Sequence, residues 1–330
     1  MERVNAICRH ALWRESVDEI ARLEQDRAFC RHDRTHFLDV ARLAYIENLE
    51  RGLGVDKELI YAAALLHDIG RHLQYTQNIP HDEAGAQLLY TLVPEQRTVF
   101  AEYYPDWMDN PGQQTKRSRQ ALFAALERAE IPALDLTPVF AQQSDLLSCY
   151  SRVDHHYTLK GAYVTYQSVC EAFGIRASEI SIAETQSDLL GTYNRKLYDL
   201  SPVREAMQVV QTPFPEYERL DNGAASDTPL IRIRGSGQSL YGDYMGGDIA
   251  ETCIRTDRPS LPTALIFGDS FTNAVESLAY YSFDEMRSVD LRHYKTQSIS
   301  DYIAAYQPDV VICIRDYEAL LSRSDNGGLS

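Results

Sequence analysis

A short motif, Gly268-Asp269-Ser270, directly follows an apolar run at residues 263–267 and precedes a helical pattern at residues 273–281. An apolar run of this length predicts a buried strand, and Gly-Asp predicts a tight turn. A strand, a turn and a helix in this order place the turn at the carboxyl end of a sheet, where open α/β folds bind their ligands. The motif therefore predicts an α/β fold that exposes the Ser270 hydroxyl.

The chain beyond residue 95 alternates between strand and helix patterns. Strands are predicted at residues 97–104, 133–140 and 308–315, and helices at residues 118–130 and 161–173. Alternation of this kind predicts a mostly parallel sheet with helices on both faces. Residues 191–253 have strand and glycine-turn character and are predicted to form an irregular β-rich insertion.

The sequence also offers partners for the serine, because Asp154, His155 and His156 follow one another upstream. A serine needs an imidazole to take its proton and a carboxylate to orient that imidazole. Alone, the Gly-Asp-Ser motif is better explained as a turn with a helix cap, where Asp and Ser are favoured. The two motifs together favour a catalytic triad of Ser270, His156 and Asp154.

The stretches VDHHYTLKGAYVTY and LIFGDSF resemble the DHHW group of SGNH-like proteins, relatives of the alginate O-acetyltransferases. The resemblance covers about residues 95–330 and implies a flavodoxin-like α/β domain with Asp154, His156 and Ser270 as its triad. Tyr157 stands where the family has Trp. The resemblance also implies extracytoplasmic work, because members usually begin with a signal or a membrane anchor.

These features predict a carbohydrate O-acyl esterase or O-acetyltransferase that needs no cofactor at this site. Its substrate would be an acylated carbohydrate or a small acyl ester. With water as acceptor the enzyme is an esterase, and with a sugar hydroxyl it is a transferase; both remain open. The backbone N–H of Ser270 is one candidate oxyanion donor, and Asn273 and the glycines of residues 244–248 are candidates for the second.

Residues 1–90 have helical patterns, and His36 and His67 each recur at helical spacing with apolar residues. This spacing places both imidazoles on inward helix faces. With Asp68 beside His67, the group could hold a divalent metal ion. The alternative is that each is an ordinary core histidine, since His-Asp pairs also occur at residues 32–33 and 81–82.

The stretches FCRHDRTHFLDVARLAY, AAALLHDIGRHLQY and IPHDEAGAQLL resemble the first part of an HD-type metal phosphohydrolase. The resemblance implies His36, His67 and Asp68 as metal ligands, His81 as a further site histidine, and a later Asp in an Ala-Asp pair. No such pair occurs, so the segment is predicted to be truncated and its metal site incomplete. Two alternatives follow: a metal-dependent phosphohydrolase, or an incomplete fusion that acts as a binding protein.

Composition limits the classes of partner and the cellular location that the sequence favours. The 330-residue chain has a formal net charge of −16, which argues against nucleic acid or an anionic membrane as the main partner. No stretch has the length and apolarity of a membrane span, which predicts a cytoplasmic location for the chain as written. Six scattered cysteines without a C-x-x-C pair predict reduced thiols. The sequence does not specify an oligomeric state.

Overall fold

The computed structural model describes residues 2–9, 11–25, 27, 31–71, 87–103, 111–128, 131–234 and 238–316. They belong to two compact units, Met1–Gln87 and Leu88–Ser330. His81, residues 104–110 and the chain from residue 317 lie outside the described residues.

The first unit is helical. Its described helices are α1 Glu2–Arg9, α2 Ala11–Leu23, α3 Arg34–Glu50 and α4 Lys57–Leu66. Aspartates cap two of these helices. Asp33 accepts N–H groups of the first turn of α3, and Asp56 does the same for α4. Trp13 lies in the core of this unit and donates from Nε1 to the Leu65 carbonyl at 2.7 Å. Aspartate side chains thus cap two of its helices, and one apolar cluster forms its core.

The second unit mixes strands and helices. Its strands are β1 Gln87–Val93, β2 Ala133–Asp135, β3 Ile182–Asp188, β4 Ala206–Val210, β5 Glu218–Asp221, β6 Ala224–Ala225, β7 Glu251–Arg255, β8 Ala264–Gly268, β9 Glu285–Asp290 and β10 Val310–Asp316. Its described α-helices are α5 Gln96–Val99, α6 Pro111–Arg128, α7 Thr137–Ala141, α8 Leu159–Ala172, α9 Thr192–Lys196, α10 Thr272–Ala279 and α11 Ile299–Tyr306. Short 3-10 helices lie at Ala101–Tyr103, Leu146–Cys149, Tyr241–Asp243 and Tyr280–Ser282.

The central sheet has eight strands in the order β2-β1-β10-β8-β9-β7-β5-β6, and β3 and β4 form a separate antiparallel pair. β1 pairs with β2 in parallel, and β8 pairs in parallel with both β10 and β9. β7, β5 and β6 extend the sheet in antiparallel fashion. The predicted α/β fold with a mainly parallel sheet is confirmed.

The burial of β8 explains why this strand could be predicted from sequence. Every residue of β8 is buried. Its Ala264 and Ile266 side chains belong to the same core cluster as Tyr166 of α8 and Leu278 of α10. A strand covered on both faces has no polar side to alternate with, so it appears as a continuous apolar run. Its end is therefore held rigidly by strands on both sides.

The strand predicted at residues 97–104 is wrong. The chain there forms α5 and then the 3-10 helix Ala101–Tyr103. The sheet instead uses β1, part of which falls in the range 1–90 that was expected to be helical. Pro94 ends this strand because proline has no N–H to donate to a strand ladder, and Glu95 is the N-cap of α5.

Two further predictions need correction. Residues 133–140 form a strand only over β2, after which α7 begins with Pro138 in its first turn, where proline is well tolerated. Residues 191–200 contain α9 rather than a strand, because Thr192 is bonded through its N–H and its hydroxyl to the Asp154 carboxylate. Residues 191–253 do contain β4, β5 and β6, but β5 and β6 extend the central sheet.

Among the described helices, none combines the length and the apolar character needed to cross a membrane. Four of the cysteines, Cys149, Cys170, Cys253 and Cys313, are buried free thiols. Burial raises the pKa of Cys170 and of Cys253 to about 11 and that of Cys313 to about 12. These thiols are therefore protonated at neutral pH and behave as small core side chains.

Gly268 permits the close pairing of β8 with β10. A β-carbon at this position would lie 1.9 Å from the carbonyl oxygen of Ile314. We expect Gly268→Ala to lower the free energy of unfolding by about 1–3 kcal/mol, because the two strands must move apart. Urea unfolding followed by circular dichroism measures this change.

The control is Gly223→Asn. Gly223 has a φ of +80° and open space around it, and asparagine tolerates left-handed backbone better than most residues. This control should lose clearly less stability. A Gly268→Ala curve that coincides with that of the wild type would contradict the close pairing.

Candidate active site

Ser270 lies in the turn that joins β8 to α10. Asp269 shapes this turn: its side-chain oxygen accepts the Phe271 N–H at 3.0 Å, and its carbonyl accepts the Thr272 N–H at 2.9 Å. Gly268 before it is buried, whereas Ser270 is only partly buried. The Ser270 hydroxyl is thus presented at the carboxyl end of the central sheet, as the sequence predicted.

Asp154 and His156 lie in the loop that precedes α8. The Ser151 N–H donates to the His156 carbonyl at 3.2 Å, and the Ser151 hydroxyl oxygen accepts the Asp154 N–H at 3.0 Å. The Gln96 amide donates to the carbonyls of Ser151 and Asp154, both at 2.7 Å. Gly191 packs so closely that a β-carbon there would lie 2.1 Å from a loop carbonyl oxygen. These contacts to its backbone thus hold the loop, in addition to the bonds that the Asp154 carboxylate accepts.

The structure brings the three residues predicted from sequence together. His156 Nδ1 lies 2.6 Å from Asp154 Oδ1, and His156 Nε2 lies 2.8 Å from Ser270 Oγ. An ionised carboxylate only accepts hydrogen bonds, so it assigns the ring proton to Nδ1. The lone pair of Nε2 then faces the serine hydroxyl, which is the arrangement a general base requires.

Asp154 is held ionised although it is buried. Thr192 donates to Oδ2 from its N–H at 2.6 Å and its hydroxyl at 3.0 Å, and His155 Nδ1 lies 3.2 Å from Oδ1. Burial raises the pKa of Asp154, but the bonds from His155, His156 and Thr192 outweigh it and keep that pKa well below its usual range. The carboxylate is therefore charged wherever the protein is folded near neutral pH.

Aromatic rings enclose the His156 imidazole. Tyr241 stacks on it with centroids 3.9 Å apart, and Phe271 lies at 4.7 Å. Burial lowers the pKa of His156, while Asp154 opposes that shift. The ring is consequently neutral at pH 7 and able to accept a proton. His155, the alternative base, is 43% exposed at its side chain and contacts Asp154.

Tyr157 links the loop to the serine turn. Its fully buried hydroxyl donates to the Phe271 carbonyl, one residue after Ser270. This is the position at which the DHHW resemblance has Trp. Tyrosine therefore keeps an aromatic ring here and adds a hydrogen bond between the loop of His156 and the turn of Ser270.

The second oxyanion donor stays a prediction. Asn273 is buried, and its side-chain N–H donates to Asp248 Oδ1 at 3.3 Å. Gly246 and Gly247 adopt φ angles of +84° and +96°, which forms a glycine turn just before Asp248. The Asn273 amide is thus oriented by Asp248.

Several site residues were not found from sequence. Gln96 and Thr192 are separated from Asp154 by long stretches, and no local pattern marks them. Tyr241 stands beside Gly242 and Asp243, and its sequence neighbourhood does not indicate a contact with His156. Their roles depend on tertiary contacts that no local pattern reveals.

In the helical unit, His36 and His67 both face Asp68. The Nε2 atoms of His67 and His36 lie 3.2 Å and 3.8 Å from Asp68 Oδ2. A third histidine, His32, places its Nε2 3.5 Å from the same oxygen. His32 is not among the ligands predicted from sequence, because it precedes α3 and the resemblance implies no role for it.

Distances alone mark three groups within the described part of the chain that could hold a metal ion. One is the triad loop, which its hydrogen bonds already explain. Another is Asp248, Asp290 and His293, whose carboxylates pair with Arg292. The third is His32, His36 and Asp68 in the helical unit.

Comparisons with known proteins address the fold. Residues 66–222 match the family described as SGNH hydrolase-like domain, acetyltransferase AlgX. The match includes Asp154 and His156 and ends before Ser270. A DHHW family protein from Eubacterium siraeum is 17% identical over 79% of this chain and 88% of its own, with a TM-score of 0.59. The chain has an SGNH-like fold.

Two further similarities concern named proteins. Bacillus cereus PatB1 is 18% identical over 79% of this chain and 91% of its own, with a TM-score of 0.59. A second PatB1 structure, which carries a sulfonyl adduct, aligns over 79% of this chain and 87% of its own with the same identity and TM-score.

An uncharacterized protein of Clostridium beijerinckii is 46% identical over 82 residues, which is 25% of this chain and 52% of that protein. The chain thus spans about half the length of this curated relative. The HD-type character of residues 1–90 stays a prediction.

The lowered pKa of Asp154 links the site to stability. A carboxyl group whose pKa falls on folding stabilises the protein above its unfolded pKa of about 3.9, and this contribution is lost as pH falls further. We expect Asp154→Asn to flatten the decline of the free energy of unfolding between about pH 5 and pH 2. Urea unfolding at a series of pH values tests this.

The control is Asp227→Asn, which removes an exposed carboxylate outside the loop. It should keep the wild-type slope. If Asp154→Asn has the same slope as the wild type, the carboxylate is not held ionised by the loop.

Proposed function

We propose that the α/β unit is a carbohydrate O-acyl esterase or O-acetyltransferase that acts through Ser270, His156 and Asp154. The observation that carries the proposal is the hydrogen-bond chain from Asp154 Oδ1 through His156 to Ser270 Oγ, with distances of 2.6 Å and 2.8 Å. Ser270 alone of the three is not fully buried. A buried base beside an accessible hydroxyl suits attack on a substrate from solvent.

In the first half of the proposed reaction, Ser270 Oγ attacks the acyl carbonyl and its proton passes to His156 Nε2. The new C–O bond places a negative charge on the carbonyl oxygen, which the Ser270 N–H and a second donor would stabilise. Collapse of this intermediate breaks the bond to the leaving alcohol, which takes the proton from His156. An acyl-serine remains.

The second half reverses these steps with a different alcohol. The acceptor hydroxyl gives its proton to His156 and attacks the acyl-serine, and Ser270 recovers the proton when its ester bond breaks. Water as acceptor releases a free acid, whereas a sugar hydroxyl yields an acylated carbohydrate. No cofactor is required in either case, and Asp154 stabilises the imidazolium in both halves.

The comparisons support this proposal at the level of chemistry. The family matched over residues 66–222 is described as an acetyltransferase. A PatB1 structure contains a sulfonyl adduct, and sulfonyl reagents modify activated nucleophiles. Transfer to an exopolysaccharide is therefore the form of the proposal that we favour, and an extracytoplasmic site of action would accompany it.

A second candidate function rests on the helical unit. The convergence of His32, His36 and His67 on Asp68 favours a metal-dependent phosphohydrolase as an alternative. If neither activity is present, the incomplete fusion that acts as a binding protein becomes the better explanation.

Substitutions test the proposed triad with 4-nitrophenyl acetate and with an acetylated oligosaccharide. We expect Ser270→Ala to lower kcat by about 10³-fold or more, and His156→Ala to do comparable damage. The double variant should be no worse than either single one, because nucleophile and base act as a unit. Asp154→Asn should retain measurable activity, since the base remains.

Two variants serve as controls in this assay. His155→Ala removes the neighbouring imidazole and should keep most of the activity, because His156 is the ring that contacts Ser270. His67→Ala should leave ester cleavage unchanged, because His67 belongs to the helical unit. Activity that survives Ser270→Ala would refute the serine mechanism.

A covalent probe tests the nucleophile without knowledge of the substrate. Phenylmethanesulfonyl fluoride should sulfonylate Ser270: the Ser270 oxygen bonds to sulfur, fluoride leaves, and the serine proton passes through His156 to solvent. Peptide mass spectrometry should locate the adduct on Ser270, and Ser270→Ala should stay unmodified.

The rate of labelling should depend on the protonation of His156. Only the neutral ring accepts the proton, and its pKa lies below the ordinary histidine value of about 6.5. The rate should therefore rise with pH and reach half its maximum below that value. A midpoint above it, or an adduct on another residue, would count against His156 as the base.

A further inference from the structure

The histidine cluster of the helical unit has a geometry that its own hydrogen bonds leave unexplained. Nε2 atoms of His32, His36 and His67 lie 3.5 Å, 3.8 Å and 3.2 Å from one carboxylate oxygen, Asp68 Oδ2. Tetrahedral coordination with metal–nitrogen bonds of about 2.0–2.1 Å places ligand atoms about 3.3–3.4 Å apart. The observed separations bracket this value.

A buried carboxylate fixes the orientation of His32. Glu24 Oε1 lies 2.8 Å from His32 Nδ1, and Glu24 Oε2 accepts the His32 backbone N–H at 2.6 Å. The Glu24 side chain is 1% exposed. A carboxylate on Nδ1 keeps the proton there and makes Nε2 a better ligand, which is a recurrent arrangement behind metal-binding histidines.

His67 has an equivalent support. Its Nδ1 lies 2.7 Å from the Ala64 carbonyl, so its proton is on Nδ1 and Nε2 carries a lone pair. Arg71 bonds Asp68 Oδ1 at 3.1 Å, which turns Oδ2 towards the histidines. The Nε2 lone pairs of His32 and His67 thus face one anionic oxygen, and His36 is grouped with His32 and Asp68 through ligand atoms within 4.8 Å of one another.

His36 supplies the independent sign of a ligand. Its Nε2 is buried and has no hydrogen-bond partner among the described residues. A buried polar nitrogen without a partner is costly, and such groups are rare unless a water or an ion satisfies them. His67 is 36% exposed at its side chain, so an ion can reach the cluster from solvent.

We propose that His32 completes a site for one divalent transition-metal ion, with His36, His67 and Asp68 as the other ligands and Glu24 as the residue that positions His32. The HD-type resemblance gives neither His32 nor Glu24 a role. Imidazole-rich sites favour ions such as Zn²⁺, Co²⁺ or Fe²⁺ over Mg²⁺ and Ca²⁺. His32 thereby removes the reason for expecting an incomplete site. This inference is independent of acyl transfer.

The experiment uses the full chain, stripped of metal by a chelator and then titrated with Zn²⁺ by calorimetry and with Co²⁺ by visible absorption. The wild type should bind about one ion per chain, and its Tm should rise with metal concentration. Glu24→Gln should weaken binding by about 10- to 100-fold, and His32→Ala should weaken it further.

The matched control is His293→Ala, which removes the imidazole from the separate group that it forms with Asp248 and Asp290. It should bind as the wild type does. Circular dichroism checks folding, and where His32→Ala does not fold, Glu24→Gln decides. Wild-type affinity in Glu24→Gln or a folded His32→Ala, loss of binding in His293→Ala, or no binding by the wild type would each overturn the proposal.

Discussion

The buried carboxylate of Asp154 is the constraint on which the α/β site depends. A buried charge costs several kcal/mol unless hydrogen bonds replace its lost water, and here the replacements come from two parts of the chain. His156 belongs to the same loop, whereas Thr192 begins α9 some forty residues later. Satisfying the charge therefore requires the loop and α9 to meet. The same bonds that make the buried charge tolerable also set the tautomer of His156, so stability and catalytic geometry share one cause.

Other contacts set the distance between His156 and Ser270. Tyr157 donates to the Phe271 carbonyl, and Phe271 itself packs on the His156 ring at 4.7 Å. The residues that flank the two reacting groups in sequence thus contact each other directly. Because β8 is buried at every position, the turn that carries Ser270 has little freedom to move. A general base needs its proton donor within hydrogen-bond reach, and these two contacts supply that reach without any substrate.

Whether a residue's place and role could be predicted from sequence depends on how far along the chain its partners lie. Ser270, its strand and its helix are read from adjacent residues, and the predicted contact of His156 with Ser270 is present at 2.8 Å. Predictions failed where a distant contact decides the local structure. Thr192 adopts a helix because Asp154 holds its N–H. Gln96 and His32 could not be found at all, since no local pattern links them to the loop and to Asp68. The fold class was predictable, whereas Gln96, Thr192 and Glu24, which position the groups around them, were not.

Both units contain the same hydrogen-bond arrangement, but the chemistry that it serves differs. In each, a buried carboxylate holds the Nδ1 of a histidine: Asp154 at 2.6 Å from His156, and Glu24 at 2.8 Å from His32. What faces Nε2 then decides the chemistry. Nε2 of His156 faces a hydroxyl, whose hydrogen satisfies the lone pair and is the proton to be moved. Nε2 of His32 faces a carboxylate oxygen, and two electron-rich atoms at 3.5 Å repel unless a positive charge lies between them. The metal ion that we propose for the helical unit supplies that charge, so the same arrangement suits a base in one unit and a metal ligand in the other.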